Sequence, residues 1–299
     1  MMDSVKKTTH SVQTILKGTI AILSANGIEK ARLEAELLLS HVLKVRKEDL
    51  IIYPGQELTA EQEERFGRLV ERRCRKEPLA YILGDREFWS LTFQVDPNVL
   101  IPRPETEGII ERLLSLAGPE ARLKPVRILD VGTGSGILAI VSAVEFVQAR
   151  VTAVDISEVV LETARGNARR HQVADRINFL QMDLMQNWIL PENETFDFIL
   201  SNPPYIPSKD IERLMPDIRN YEPQAALDGG PDGLNCYRSI VPNAFSCLNP
   251  GGHLIVEVGD GQSEAVKNIL HDHGGFEDIE IVKDLSGRDR IVSAGRVRG

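Results

Sequence analysis

Cysteine is scarce in this sequence of 299 residues, and long apolar runs are missing from it. The three cysteines, Cys74, Cys236 and Cys247, are odd in number and widely spaced, so they predict neither a disulfide framework nor a metal-ligand cluster. No apolar run reaches the roughly 18 residues that a transmembrane helix needs. We therefore expect a cytoplasmic protein that holds no metal ion and does not associate with a membrane.

Basic residues are also too few to give an excess of positive charge. Lysine and arginine total 35 against 44 aspartates and glutamates, so the formal net charge is −9. A protein that binds DNA or RNA usually presents a basic face that neutralises phosphates. The charge balance therefore disfavours a nucleic-acid substrate and favours a protein or a small molecule, although a local basic patch is compatible with it.

The residues that are present divide the chain into three regions. Residues 1–78 carry apolar positions at helical spacing, and Thr59 with Gln62 forms a capping-box pattern before a helix. This small helical domain serves either as a stability cap or as a docking module for a macromolecular substrate. Residues 79–104 contain short apolar and aromatic runs broken by turn residues, which predicts a hairpin-like connector. Residues 105–299 form the third region.

The third region alternates strand-like and helix-like segments, which predicts a parallel sheet covered on both faces. We expect its strands at 126–131, 151–155, 177–180, 196–201, 252–258, 276–282 and 289–293. A stretch with weak periodicity and several prolines and glycines follows the fourth strand, from Ile206 to Asn235. A loop of this length inside a compact domain is usually functional, so we expect it to form a wall or a lid of a site.

A glycine-rich turn follows the first strand of this region, where open α/β sheets bind ligands. The candidate cofactor-binding residues of the turn are consecutive: Gly132, Thr133, Gly134, Ser135 and Gly136. Asp155 ends the second strand, where a carboxylate can accept hydrogen bonds from both ribose hydroxyls of a nucleotide. The G-x-G-x-G spacing lacks the last glycine of a dinucleotide fingerprint, because Ile137 stands there. The pattern therefore favours S-adenosylmethionine, which has no pyrophosphate, over a nicotinamide dinucleotide.

Asp183 and Leu184 follow the third strand and are two further candidates for cofactor binding. An acidic side chain and an apolar neighbour at this place could meet the amine and the ring face of adenine. An aspartate that only caps a turn is an equally good interpretation of Asp183. Arg103 could bind a carboxylate, but its role stays open.

The tetrapeptide Asn202, Pro203, Pro204, Tyr205 ends the fourth strand and is the candidate substrate site. Prolines fix the backbone and donate no hydrogen bond, which leaves carbonyl oxygens and the Asn202 side chain as acceptors. A planar NH2 group has two donors, and Asn202 and Pro203 can accept one each as the catalytic pair. The Tyr205 ring can cover the planar group. A proline turn of purely structural origin is the competing interpretation.

Taken together, these motifs resemble the HemK/PrmC family of release-factor glutamine N5-methyltransferases. The resemblance rests on residues 77–84, 86–88, 100–107, 129–136, 201–205, 222–223, 226–230, 232–234, 237–238 and 287–290. It implies a class I (Rossmann-like) α/β methyltransferase sheet of seven strands with a reversed last strand, and a smaller N-terminal all-α domain that recognises the substrate protein. It also implies an enzyme of translation termination, and we expect this enzyme to be cytoplasmic and monomeric.

The resemblance further implies the reaction and its site residues. S-adenosylmethionine would methylate the glutamine of the Gly-Gly-Gln motif in class I peptide chain release factors. The family's cofactor contacts carry over to residues 132–136, Asp155, Leu184 and Asn202, and its substrate contacts to residues 202–205. Some family members have an aromatic residue where Leu184 stands, so an apolar contact with adenine replaces stacking here.

Three other functions share parts of this pattern. A nucleic-acid methyltransferase acting on N6 of adenine or N2 of guanine uses the same loop chemistry, but it would need a basic face. A dinucleotide-dependent oxidoreductase is disfavoured by the missing glycine, and a non-catalytic binding protein by the intact Asn202 and cofactor turn.

Overall fold

The computed structural model describes residues 10–186, 188–190 and 194–298. Its helices are α1 (Val12–Ala25), α2 (Ala31–Leu43), α3 (Lys47–Ile52), α4 (Ala60–Cys74), α5 (Leu79–Leu83), α6 (Glu107–Ala117), α7 (Ile137–Glu145), α8 (Glu158–Arg170), α9 (Pro216–Tyr221), α10 (Asn235–Cys247) and α11 (Ser263–His273). Its strands are β1 (Asp85–Phe88), β2 (Leu91–Gln94), β3 (Arg127–Val131), β4 (Arg150–Asp155), β5 (Ile177–Gln181), β6 (Phe196–Ser201), β7 (Leu248–Glu257), β8 (Phe276–Lys283) and β9 (Asp289–Arg296). The described residues form two compact units, one of residues 10–84 with Pro216–Tyr221 and one of the remainder.

The helical unit contains α1 to α5 and α9, and α1 to α5 contribute its apolar core. The predicted capping box before α4 is confirmed, because Thr59 Oγ1 accepts from the Gln62 amide at 3.2 Å and Gln62 Oε1 accepts from the Thr59 amide at 2.9 Å. Leu23, Leu38 and Leu39 are fully buried in this core. The apolar spacing therefore predicts the helices of this unit well wherever they are long.

The sheet unit contains seven strands in the order β5-β4-β3-β6-β7-β9-β8. The first five of these pair in parallel, whereas β9 runs antiparallel to both β7 and β8. This arrangement confirms the sheet with a reversed last strand. Each predicted strand lies within four residues of the observed bounds, the largest difference being the start of β7 at Leu248.

Parallel strands buried on both faces explain the nearly continuous apolar runs of β3 and β6. Adjacent residues of one strand, such as Ile128 and Leu129, pack into separate core clusters on opposite faces of the sheet. β4 pairs with one edge of β3 and β6 pairs with the other, so the order in which strands are added to the sheet reverses at β3. Open sheets bind ligands at such a switch point. The site is therefore expected at the carboxyl ends of these three strands.

The region between the helical domain and the sheet contains α5 followed by an antiparallel β1–β2 pair, with Asp85 opposite Gln94. Trp89 and Ser90 both have positive φ, at 52° and 58°, as a two-residue type I′ turn requires. The functional limits of the domains at residues 78 and 104 stay predictions. None of the described helices combines the length and the apolar character needed to cross a bilayer.

Candidate active site

A cavity of about 340 Å³ opens at the carboxyl ends of β3, β4 and β6. Eight of the predicted site residues line it: Gly132, Thr133, Gly134, Ser135, Asp155, Leu184, Asn202 and Pro204. Four others, Gly136, Asp183, Pro203 and Tyr205, are not among its lining residues. Pro223, Ala225 and Ala226 also line it, so part of the predicted 206–235 loop forms a wall.

The glycine-rich turn is held against the end of β4. The amides of Gly132 and Thr133 both donate to the Val154 carbonyl at 2.9 Å. The Gly134 amide donates to Asp155 Oδ2 at 3.1 Å. Gly132 and Gly134 have φ of 74° and 55°, a conformation that favours glycine. The turn therefore brings its backbone and the Asp155 carboxylate to the same wall of the cavity.

Gly136 has a packing reason to be glycine. Its φ is 86° at the start of α7, and a Cβ there would lie 3.0 Å from Ile140 Cδ1 and 3.2 Å from Ala164 Cβ. The close approach of α7 and α8 thus explains this residue without a ligand. Its predicted cofactor contact stays a prediction.

Two carboxylates lie near the turn, Asp130 fully buried and Asp155 partly buried, and burial raises the pKa of both. The pKa of Asp130 rises to about 7 despite hydrogen bonds from Thr133 and Ala139. The pKa of Asp155 also rises, although the backbone amides of Gly134 and Ser157 oppose the change. Among the described residues, Asp130 Oδ1 has no hydrogen-bond partner. Asp130 does not line the cavity, so Asp155 is the acidic residue that its wall presents to a ligand.

The two candidate residues after β5 make different contacts in the structure. Leu184 lines the cavity and supplies an apolar wall. Asp183 closes a turn, since its Oδ1 accepts from the Met185 amide at 2.9 Å and its Oδ2 from Gln186 Nε2 at 3.1 Å. The turn-capping interpretation accounts for the observed contacts of Asp183, and its contact with adenine stays a prediction.

The substrate loop, defined as residues 202–205, leaves the end of β6 and is anchored on the far side. The Ile206 amide donates to the Leu227 carbonyl, and the Gly229 amide donates to the Ile206 carbonyl, each at 2.9 Å. A Cβ on Gly229 would lie 2.7 Å from Tyr205 Cα, so glycine is needed for this close approach. Gln262 Nε2 donates to the Tyr205 carbonyl at 2.9 Å. These contacts fix the loop backbone from outside the cavity.

Two polar residues behind the loop were not singled out from the sequence. Asn202 Nδ2 donates to Thr106 Oγ1 at 3.0 Å, and Thr106 Oγ1 donates to Glu257 Oε2 at 2.6 Å. The Tyr205 hydroxyl donates to Glu257 Oε1 at 3.2 Å. The one available signal was positional, because Glu257 ends β7, the strand beside β6.

Arg103 lines the cavity and is paired with a buried carboxylate. Its Nη2 donates to Glu222 Oε1 at 2.5 Å, and the Ile101 amide donates to Glu222 Oε2 at 3.2 Å. The Glu222 side chain is 1% exposed and the Arg103 side chain 29% exposed. This ion pair connects the segment before α6 with the segment after α9.

Two family models match the chain, the PrmC N-terminal domain over residues 14–84 and a methyltransferase domain over residues 128–221. The release factor glutamine methyltransferase of Geobacter sulfurreducens is 42% identical over 96% of this chain and 97% of its own length. That of Rhodopirellula baltica is 37% identical over 98% of this chain and 99% of its own length. A methyltransferase structure from Pyrococcus furiosus covers 76% of this chain and 98% of its own, with a TM-score of 0.52 at 20% identity, and so shares the fold.

With the sheet order and the cavity at its switch point, these matches define an enzyme class. The chain is an S-adenosylmethionine-dependent methyltransferase with a class I, Rossmann-like sheet and a helical N-terminal region. More narrowly, it belongs to the release factor glutamine methyltransferase family. The resemblance stated from the sequence motifs is confirmed, and the oxidoreductase alternative is wrong.

Proposed function

We propose that this enzyme methylates N5 of the glutamine in the Gly-Gly-Gln motif of class I peptide chain release factors. The substrate loop carries the proposal, because Asn202 lines the cavity directly after the end of β6 and is followed by Pro203, whose carbonyl is a second acceptor. The names of the full-length relatives support the release factor as substrate. The glutamine motif and the N5 position rest on the family resemblance.

The cavity residues fit S-adenosylmethionine. Asp155 would accept from the ribose hydroxyls, Leu184 would contact the adenine ring, and the positive-φ turn would let the ligand approach the backbone closely. The Asp155 carboxylate on the cavity wall favours a ligand with a sulfonium charge. When bound, the cofactor supplies an electrophilic methyl group on that sulfonium.

Asn202 and Pro203 would orient the acceptor nitrogen. An amide nitrogen is a poor nucleophile because its lone pair is delocalised into the carbonyl. Hydrogen bonds from its NH2 group to the Asn202 side-chain oxygen and the Pro203 carbonyl would strengthen as positive charge grows on nitrogen. They would therefore stabilise the transition state more than the ground state. No strong base is required, because the nitrogen becomes more acidic as it is methylated.

The Asn202→Ala variant is expected to lose most of its methyl-transfer rate while it still binds cofactor. The side chain removed is an acceptor for the substrate, whereas the turn and Asp155 stay intact. Turnover with a purified release factor and cofactor affinity by calorimetry measure the two effects. Near-normal turnover in this variant would contradict the assignment of Asn202.

The substrate itself is tested with methyl-labelled S-adenosylmethionine. Wild-type enzyme is incubated with a purified release factor, with the same factor whose Gly-Gly-Gln glutamine is replaced by asparagine, and with DNA. Label only on the intact factor is the expected result. Label on both factors, or on DNA alone, would overturn the proposed substrate.

The remaining parts of this proposal concern partners and location. The helical unit recognises the release factor, the enzyme acts as a monomer in the cytoplasm, and it does not bind nucleic acid directly. The net charge of −9 supports the absence of direct nucleic-acid binding, and the free cysteines Cys74, Cys236 and Cys247 support a reducing compartment. The competing nucleic-acid methyltransferase has the same loop chemistry and is separated from this proposal by the DNA arm of the labelling experiment.

A further inference from the structure

Four side chains behind the substrate loop form a continuous hydrogen-bonded network. It runs from Asn202 to Thr106, from Thr106 to Glu257, and from Glu257 to the Tyr205 hydroxyl. Thr106 is 0% exposed and Glu257 is 1% exposed. Buried polar groups of this kind destabilise the folded state unless each has a hydrogen-bond partner. Each donor in the network must therefore face an acceptor, and this requirement fixes the direction of each hydrogen bond.

Those directions follow from the chemistry of each group. An ionised carboxylate only accepts, so the Thr106 hydroxyl must give its single proton to Glu257. The Thr106 oxygen then has only lone pairs left for Asn202, which must present its NH2 group to it. The carbonyl oxygen of the Asn202 side chain consequently points the other way.

We propose that Thr106 and Glu257 are positioning residues that hold the Asn202 side chain with its amide oxygen available to the substrate nitrogen. This inference rests on the proposed function of Asn202 as an acceptor. The two orientations of the Asn202 amide have nearly the same shape, so without Thr106 the network would not favour either of them. In the flipped orientation, the NH2 group of Asn202 would face the NH2 group of the substrate. Neither Thr106 nor Glu257 touches the substrate in this scheme, and both act through Asn202.

The network also links the orientation of Asn202 to protonation of Glu257. The charged and titratable groups that face this carboxyl are Glu105, Arg290, Tyr205 and Tyr237. Burial raises the pKa of Glu257 to about 7, although Arg290 and the hydrogen bonds from Thr106 and Tyr205 act against the increase. A protonated Glu257 can donate to Thr106, which would then donate to the Asn202 oxygen and turn the amide round. Acid should therefore inactivate the enzyme by reversing the network.

The experiment compares Thr106→Val with Thr106→Ser in the full-length enzyme. Valine keeps the shape and removes the hydroxyl, whereas serine keeps it. With a release factor as substrate, we expect valine to lower kcat about ten-fold or more and serine to lower it by less than about three-fold. The Kd for S-adenosylmethionine, measured by calorimetry, should be similar in all three proteins. Equal kcat values for the valine variant and wild type, or equal losses for valine and serine, would overturn the proposal.

A pH profile separates positioning from a general loss of structure. Wild-type kcat should fall on the acid side of about pH 7, as burial of Glu257 implies. The neutral variant Glu257→Gln should lose this acid limb, and so should Thr106→Val, because neither can transmit protonation to Asn202. An acid limb that is unchanged in Glu257→Gln would overturn the proposal even if the valine variant fails to fold. Wild-type transfer in the same assay tests the proposed function separately, since its absence would count against the substrate and not against the network.

Discussion

Individual residues of this enzyme combine burial with charge, and Asp130 is the clearest case. Its side chain is fully buried at the end of β3, where Oδ2 accepts from Thr133 Oγ1 at 2.6 Å and from the Ala139 amide at 3.0 Å. Both bonds go to one oxygen. An asparagine could therefore keep them through its carbonyl oxygen while it removes the charge.

The Asp130→Asn variant should become more stable than wild type as the pH rises. Burial raises the pKa of Asp130 from 3.8 to about 7, so between these values the folded state keeps a proton that the unfolded chain has released. The contribution of Asp130 to wild-type stability is therefore highest below the unfolded pKa and falls as the pH increases towards 7. Between pH 5 and pH 8 the difference in unfolding free energy should grow by about 2–3 kcal/mol, at about 1.36 kcal/mol per pKa unit.

Urea unfolding of the cofactor-free proteins at pH 5 and pH 8 measures this difference. Comparing the two proteins at each pH cancels the titration of all other groups that the substitution leaves unchanged. A constant difference across the two pH values would mean that Asp130 is ionised in the folded state throughout.

The sequence predicted some residues of the site and missed others for a physical reason. Asp155 ends β4 and Asn202 directly follows β6 in the parallel part of the sheet, and this position alone brings them to one edge. Thr106 and Glu257 are separated by 151 positions along the chain. Only the folded structure shows that they share a hydrogen bond, because no local pattern encodes a contact over that distance.

At the scale of elements, the loop after β6 depends on a close backbone approach at a second glycine. Gly233 has φ of 78°, and a Cβ on it would lie 2.3 Å from the Tyr205 carbonyl oxygen and 2.4 Å from Gln262 Nε2. The substrate loop therefore keeps its conformation only while this position has no side chain. Gly261, with φ of 76° and no atom within 4 Å of a built Cβ, offers a matched control.

Gly233→Ala should reduce both stability and methyl-transfer rate more than Gly261→Ala. Both variants carry the cost of a left-handed conformation, about 1 kcal/mol for a residue with a Cβ. Only Gly233→Ala must also displace the Tyr205 backbone. Unfolding free energies and kcat with a release factor measure the two effects. If the two alanine variants had the same kcat, the loop would not depend on this contact.

The sequence patterns predicted the strands of the large sheet but missed the shortest helices. The seven strands of the large sheet were predicted because apolar runs bounded by turn residues persist over several positions. Helices α3 and α5, of six and five residues, were missed because they are too short to show a helical period. The same limit applies to α9, which lies inside the stretch expected to be a loop.

For the whole molecule, the division into two units predicts which parts of the chain are stabilised when the cofactor binds. Every residue that lines the cavity belongs to the sheet unit. A ligand that binds only the folded site at about 100 times its Kd stabilises that site by about 2.7 kcal/mol. Some backbone amides exchange with solvent only through a local unfolding that also releases the ligand. With the ligand at this concentration, those amides should exchange about 100-fold more slowly.

Hydrogen exchange followed by mass spectrometry should therefore show slower exchange in β3, β4 and β6 when S-adenosylmethionine is added, and little change in α1, α2 and α4. The Asp155→Ala variant at the same cofactor concentration is the control, since it should bind more weakly and lose most of the slowing. Equal slowing in the helices would mean that the two units unfold together and that the helical unit contributes to cofactor affinity. Slowing confined to the sheet unit would show that cofactor binding does not stabilise the helical unit, in agreement with its proposed role in recognising the release factor.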